Sequence, residues 1–197
     1  MMDGKSGSII AITGPMFSGK TSRLIEFLER EARSGKKIIL FKPDIDKRYD
    51  EKMVVTHKGI KLQAAVIGTS RAGIAQIEKD SAGFDVVGID EVELWGEGEF
   101  MAKALDRLAF AGKIVYVSML NRDHTGAPFK GTVEPLARAD AIHSLTSICC
   151  KCGGEATFSQ RVREGKEVFG DLIMVGGNDS YEPRCRACFV RQNSGVD

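Results

Sequence analysis

The 197-residue sequence lacks a dominant charge and any long apolar run. Its formal net charge is +1, from 28 basic and 27 acidic residues, so the composition favours neither a nucleic-acid polymer as partner nor an acidic disordered tail. No apolar run approaches the roughly 20 residues that span a bilayer, and residues 1–7 lack the apolar core of a signal peptide. These absences predict a cytoplasmic protein without a membrane or nucleic-acid partner.

Cysteine is absent from most of the chain, and all five cysteines lie between Cys149 and Cys188. In a reducing compartment such clustering indicates a metal site rather than disulfides. The hydrophobic content of 43% and the charged content of 28% are ordinary for a globular protein. The length allows one good-sized domain with a small appendage.

A glycine-rich stretch after the first apolar run carries the clearest chemistry. Residues 14–21 fit G-x-x-x-x-G-K-[ST] at every fixed position. Glycine lets such a loop curl around a triphosphate with its N–H groups facing inward, whereas an ordinary turn does not explain the strand before it and the helix after it. Lys20 is expected to reach the β- and γ-phosphates of ATP, and the Thr21 hydroxyl to ligate Mg²⁺. The predicted ATP-binding residues are Gly14, Pro15, Met16, Phe17, Ser18, Gly19, Lys20 and Thr21.

Apolar patterning predicts a parallel α/β sheet around this loop. A strand over 8–13, a helix over 22–33 and a strand over 37–41 form a βαβ unit, which requires parallel strands. The pattern predicts further strands over 62–67, 84–89, 113–120 and 140–148, and further helices over 73–79, 98–112 and 133–139, with Pro135 in the first turn of the last helix.

The strand over 84–89 ends in an acidic pair, Asp90-Glu91. We expect this strand to lie beside the P-loop strand, where Asp90 joins the Mg²⁺ shell. Glu91 is expected to point to the other side and to accept a proton from a substrate hydroxyl. The alternative is that both carboxylates merely begin a surface loop.

Two C-x-x-C pairs, Cys149/Cys152 and Cys185/Cys188, predict a metal site. Four thiolates suit tetrahedral Zn²⁺, with a redox dithiol or an iron–sulfur cluster as alternatives. A closed Cys₄ site has no open coordination position, so we interpret the zinc as structural. Cys150 is the spare cysteine, because only Cys149 has the x-x spacing to Cys152.

The segment between the two cysteine pairs contains Gly176-Gly177 and Tyr181. A segment anchored at both ends by a metal site is typical of a lid that keeps water away from a transferred phosphoryl group. An ordinary hairpin whose Tyr181 packs on the metal site is an equal alternative.

Taken in order, these motifs resemble the type II thymidine kinases, a cytosolic family with a RecA-like P-loop domain and a small zinc-ribbon-like lasso domain. The resemblance covers about residues 8–189. It implies a P-loop domain over 1–145, a lasso domain over 146–190 and a flexible tail over 191–197. The matching motifs are the P-loop with its Met-Phe-Ser, Asp46-Lys47-Arg48-Tyr49, Thr56-His57, Ile89-Asp90-Glu91, Pro128-Phe129 and the Gly-Gly-x-x-x-Tyr between the cysteine pairs.

The resemblance implies phosphorylation of the 5′-hydroxyl of thymidine by ATP, giving dTMP and ADP, in a homotetramer. Glu91 matches the general base, Lys20 and Arg48 match residues at the reacting phosphate, and Asp46 would orient Arg48 or the Mg²⁺. The residues that match nucleoside contacts are Met16, Leu94, Leu120, His124, Phe129, Ser159, Leu172, Met174, Gly176 and Tyr181.

The sequence departs from the family pattern around the expected nucleoside pocket. Residues 92–95 read Val-Glu-Leu-Trp where the family usually has a glutamine and paired phenylalanines, and Leu172 and Met174 replace smaller valines. These changes predict an altered substrate range with phosphoryl transfer intact. A RecA-like ATPase module is the alternative from another class, although the neutral charge and the lack of a basic patch argue against it.

Overall fold

The computed structural model describes residues 7–44, 53–55, 61–169 and 179–191. Its main sheet has seven strands in the order β3-β4-β2-β5-β6-β1-β7. Strand β3 is antiparallel to β4, and the other six strands run parallel. The strands are β1 (Ser8–Thr13), β2 (Ile38–Pro43), β3 (Met53–Val55), β4 (Lys61–Ile67), β5 (Val86–Ile89), β6 (Ile114–Met119) and β7 (Ala141–Ser144).

Helices cover both faces of this sheet, which confirms the predicted α/β class. Helix α1 packs on one face through Leu24 and Leu28, whereas α2 and α3 bury apolar side chains on the other face. The close packing of α1 requires Gly88 in β5, where a Cβ atom would lie 2.7 Å from Leu28 Cδ1. The helices are α1 (Lys20–Arg33), α2 (Arg71–Asp80), α3 (Gly98–Phe110) and α4 (Lys130–Ala137).

Two predicted elements differ from the structure. Helix α4 begins at Lys130, so Pro135 lies inside the helix rather than in its first turn. The expected strand over 140–148 is two strands, because the main-sheet strand ends at Ser144 and a new one begins at Ser147. The Leu145 N–H donates to the Thr13 carbonyl at 2.7 Å, and beyond this bond the chain leaves the main sheet.

The acidic strand does not lie beside the P-loop strand, and that prediction is wrong. Strand β6 lies between β1 and β5 and pairs in parallel with both. The carboxyl ends of all three strands still meet at one edge of the sheet. The active-site prediction depends on that edge and not on direct contact between β1 and β5.

The chain after Ser147 forms a small antiparallel module. Strands β8 (Ser147–Ile148) and β9 (Glu155–Ala156) pair around the first cysteine pair, and three further strands form a sheet in the order β11-β10-β12. These are β10 (Phe158–Arg163), β11 (Lys166–Glu167) and β12 (Asp179–Arg184). None of the described helices is long and apolar enough to cross a membrane.

Two arginines, Arg161 and Arg184, are almost fully buried in this module. Arg184 forms ion pairs with Glu182 and with Glu167, the latter at 3.4 Å. A buried cation needs such partners because desolvation alone is costly. Arg184 therefore ties the end of β12 to β11.

Candidate active site

The loop between β1 and α1 has the conformation that a phosphate cradle needs. Gly14 has a φ of 150°, and a Cβ atom there would lie 2.5 Å from the Leu145 carbonyl oxygen. Gly19 has a φ of 80° and caps α1, whose N-terminus presents free N–H groups to the loop. Phe17 takes the left-handed conformation, with a φ of 62°, and its side chain is 68% exposed. Strain of this kind at a non-glycine residue is typical of a ligand-binding loop.

Lys20 lies within the curl of this loop. Its Nζ donates a hydrogen bond to the Pro15 carbonyl at 2.8 Å. Burial lowers the pKa of Lys20, whereas the charges of Glu93, Asp90 and Glu91 oppose that shift. The ammonium group is therefore held where a triphosphate would replace the carbonyl as its partner.

Thr21 and Asp90 meet at the carboxyl edge of the sheet. Thr21 Oγ1 donates to Asp90 Oδ2 at 3.0 Å, and Ser118 Oγ donates to Asp90 Oδ1. Ser118 lies on β6 and fills the space between the P-loop strand and the acidic strand. A hydroxyl and a carboxylate at this distance suit Mg²⁺, which prefers oxygen ligands. The sequence analysis missed Ser118, whose only signal was one polar residue near the end of an apolar strand.

The backbone turns sharply at Glu91. This residue has a φ of 52° and starts a short 3₁₀ turn, Val92–Trp95. Its N–H donates to Asp90 Oδ1 at 3.1 Å and to Ser118 Oγ at 3.3 Å. Both Asp90 oxygens are thus engaged by hydroxyl groups, while the Glu91 carboxylate lies half-buried and close enough to act on the charge of Lys20. The arrangement favours separate roles for the two carboxylates.

Glu93 is a buried carboxyl group that the sequence analysis did not assign to the site. Burial raises its pKa to about 7, and the nearby positive charge of Lys20 only partly opposes that shift. Atom Oε2 has no hydrogen-bond partner among the described residues. Its sequence signal was that residues 92–95 read Val-Glu-Leu-Trp where the family usually has a glutamine and paired phenylalanines.

Replacing Glu93 with glutamine is expected to change the pH dependence of stability. A folded-state pKa of about 7, above the usual 4.5, means that the folded protein binds more protons between these values. Its free energy of unfolding should therefore fall by about 3 kcal/mol as the pH rises through this window. In Glu93→Gln this fall should be absent. Urea unfolding of both proteins at pH 4.5 and pH 8 measures the difference, and equal pH dependence would contradict the assignment.

The small module contacts the phosphate loop directly. The Met16 N–H donates to Ser159 Oγ at 2.9 Å. In the paired strands β10 and β12, Ser159 lies opposite Pro183 and Arg161 opposite Tyr181, so these side chains share the face that meets the loop. Tyr181 and Ser159, both predicted nucleoside contacts, therefore share one face of the strand pair, and Ser159 contacts the loop. The buried Arg161 on the same face was not predicted.

The other predicted nucleoside contacts lie around the loop that follows β6. The Phe129 N–H donates to the Asn121 carbonyl at 3.1 Å, which closes this loop. His124 is buried, whereas Leu94, Leu120 and Phe129 are half-buried. The predicted residues that lie outside the described part of the chain are Asp46, Arg48, Thr56, His57, Leu172, Met174, Gly176 and Gly177.

Four cysteines come together at one end of the small module. The sulfur atoms of Cys149, Cys152, Cys185 and Cys188 all lie within 4.8 Å of one another, and the Cys152 and Cys185 sulfurs are 3.6 Å apart. A Zn–S bond of about 2.3 Å gives sulfur separations of about 3.8 Å in a tetrahedron, whereas a disulfide requires about 2 Å. The geometry fits zinc. Cys150 is exposed and lies outside this set, as predicted.

The crowding of these thiols also favours a cation. Hydrogen bonds to the Cys185 and Cys152 sulfurs, with the nearby Cys149, raise the pKa of Cys188 to about 12. Four thiolates therefore cannot coexist at this point unless a positive ion neutralises them. Cys149 N–H donates to the Gly154 carbonyl at 2.8 Å, which closes the first turn of the site.

Comparisons with known proteins agree with this geometry. The family described as thymidine kinase matches residues 7–189. Relatives named thymidine kinase come from Thermococcus kodakarensis, 45% identical over 91% of this chain and 92% of its own, and from Pyrobaculum aerophilum, 41% identical over 92% and 98%. A third, from Mycoplasma capricolum, is 37% identical over 98% of this chain and 93% of its own. The chain therefore belongs to the thymidine kinase family.

Proposed function

We propose that this protein transfers the γ-phosphoryl group of ATP to the 5′-hydroxyl of thymidine. The observation that carries the proposal is the meeting of Thr21, Asp90 and Glu91 at the mouth of the phosphate loop. That arrangement offers a metal position and a second carboxylate, that of Glu91, beside it, which supports phosphoryl transfer to a hydroxyl. The relatives' name identifies thymidine as the acceptor.

Each residue of the loop region has a distinct task in this reaction. Lys20 exchanges its bond to the Pro15 carbonyl for the β- and γ-phosphates. Thr21 and Asp90 would hold Mg²⁺, and the ion would supply positive charge next to the transferred phosphoryl group. Glu91 accepts the proton of the nucleoside 5′-hydroxyl as its oxygen bonds to the γ-phosphorus, while the bond from that phosphorus to the β–γ bridging oxygen breaks and ADP leaves.

We propose that the zinc is structural and that it supports the nucleoside side of the site. The cysteine set uses all four ligand positions of a tetrahedral ion, so none remains for substrate. Strands β8, β9 and β12 all adjoin these cysteines. Zinc would therefore fix the end of β12, which carries Tyr181 and pairs with β10, the strand of Ser159.

The test is ATP turnover measured by coupled ADP release. We expect release to depend on thymidine and to be insensitive to DNA. Turnover that requires DNA instead would overturn the proposal in favour of the ATPase alternative. Deoxyuridine and deoxycytidine, compared under the same conditions, define the substrate range that Leu94 and its neighbours allow.

We also propose a cytoplasmic homotetramer. Zinc-bound cysteines are typical of reducing compartments. Strand β7 is an edge strand whose four residues are exposed, including the 53% exposed Ile142, and Ile148 in β8 is 68% exposed. An apolar sheet edge of this kind is normally covered by another chain. Light scattering coupled to size exclusion measures the number of copies.

A further inference from the structure

A second basic cavity lies outside the phosphate loop. It measures about 280 Å³ and lies between the loop after β6 and the small module. Gly126 packs against the ring of Phe189 in its wall, since a Cβ atom there would lie 3.0 Å from that ring. Its lining residues are Arg122, Thr125, Gly126, Ala127, Phe158 and Phe189, with Arg186 and Arg191 at its edge.

The cavity concentrates positive charge in a chain whose formal net charge is only +1. Within the residues that the structure describes, Arg122, Arg186 and Arg191 form no ion pair with a carboxylate. Three unpaired guanidinium groups in one concave site raise the local concentration of anions.

Aromatic rings hold two of these arginines in place. The guanidinium carbons of Arg122 and Arg186 lie 4.7 Å and 5.0 Å from the centre of the Phe158 ring. Phe189 stacks on Phe158 with a centroid distance of 4.5 Å. A stacked guanidinium loses less conformational entropy when it binds an anion, because its plane is already oriented.

The wall opposite these rings is also rigid. The Asp123 carboxylate accepts hydrogen bonds from the Thr125 N–H at 2.8 Å, the Thr125 hydroxyl at 2.6 Å and the Ala127 N–H at 3.2 Å. The Arg122 guanidinium donates to the Thr157 carbonyl at 3.3 Å and spans from this loop to the module. The cavity is therefore formed before any ligand arrives.

The cavity is separate from the nucleoside side of the active site. Phe158 and Ser159 are neighbours on β10, so their side chains point to opposite faces of the strand. Ser159 contacts the phosphate loop, and Phe158 forms the cavity. A ligand in the cavity would thus lie on the face of β10 opposite to the face that contacts the phosphate loop.

We propose that this cavity is a second anion site, which binds a small phosphate-bearing ligand through Arg122, Arg186 and Arg191. Guanidinium groups bind phosphate oxygens in pairs, and this geometry suits phosphate better than a lysine cluster would. The volume is close to the lower limit of about 300 Å³ for small-molecule sites, which favours a compact anion. The site is independent of the activity proposed above.

Isothermal titration of the zinc-loaded full chain with pyrophosphate, in magnesium-free buffer, tests the proposal. We expect two sites per chain, one in the phosphate loop and one in the cavity. The double variant Arg122→Gln/Arg191→Gln should bind pyrophosphate at least tenfold more weakly in the cavity and keep the loop site. Arg186 is left unchanged because it lies between two cysteines of the metal set.

Two further variants complete the design. Lys20→Ala should lose the loop site and keep the cavity site. Titration of the same variant with ADP then shows whether the cavity prefers the diphosphate group of a nucleotide or free pyrophosphate. Arg30→Gln is the matched control, because Arg30 also lies over a phenylalanine ring, 5.7 Å from the centre of Phe27, but outside the cavity. A single site in the unaltered protein, or two undiminished sites in the double variant, would overturn the proposal. Loss of thymidine turnover alone would not affect it.

Discussion

Replacing Glu91 with glutamine is expected to lower kcat with thymidine by about 10²–10⁴-fold, the usual contribution of a general base. Glutamine keeps the shape of the side chain but cannot accept the proton of the 5′-hydroxyl. The proposed metal position depends on Asp90, Thr21 and Ser118, and the hydrogen bonds that join these three residues do not involve the Glu91 side chain. KM for ATP should therefore change little. Steady-state kinetics at saturating thymidine measures kcat and KM for ATP separately.

The matched control for this variant is Glu99→Gln. Glu99 is exposed, forms an ion pair with Lys103 at 2.6 Å and lies on α3 rather than at the site. It should keep wild-type kcat. If Glu91→Gln also retains a kcat near wild type, Glu91 is not the base, and the proton must leave by another route.

Removing the zinc is expected to have the largest effect on the fold. Structural Zn²⁺ contributes about 10–16 kcal/mol of apparent binding free energy in small metal-dependent modules, and this energy is folding energy. Without it, the short pair β8–β9 and the end of β12 lose their common anchor. The module should then unfold, and thymidine-dependent turnover should be lost even though the main sheet remains folded. Circular dichroism and limited proteolysis after chelation measure this separation.

Two single substitutions make the zinc experiment specific. Cys185→Ser removes one of the four clustered sulfurs and should reduce the metal content well below one zinc per chain. Cys150→Ser is the matched control, because Cys150 is exposed and lies outside the cluster. Equal metal content in the two variants would contradict the assigned ligand set.

Local spacing made the chemical groups of this site predictable. The glycines and the lysine of the phosphate loop act within eight consecutive residues, and each cysteine pair forms one turn, so sequence neighbours are also spatial neighbours. The α/β class was predictable for the same reason, because the repeat of apolar residues in a strand or a helix is visible within a short stretch of sequence. The four clustered cysteines and the exclusion of Cys150 are confirmed.

Contacts between distant segments were not predictable in the same way. The position of β6 between β1 and β5 depends on how crossovers pack, and the linear order of strands does not encode it. Ser118 acquires its role only through that position. Glu93 and Arg161 are ordinary polar residues in the sequence, and only burial in the folded chain sets them apart.

The hydrogen bond from the Met16 N–H to Ser159 Oγ has one further consequence. It joins the loop that we propose binds ATP to the strand that we propose faces thymidine. If a ligand bound on one side changes this hydrogen bond, it also changes the binding free energy of the ligand on the other side. Thermodynamic linkage then makes the effect reciprocal, so that thymidine must change the affinity for ATP by the same factor as ATP changes the affinity for thymidine.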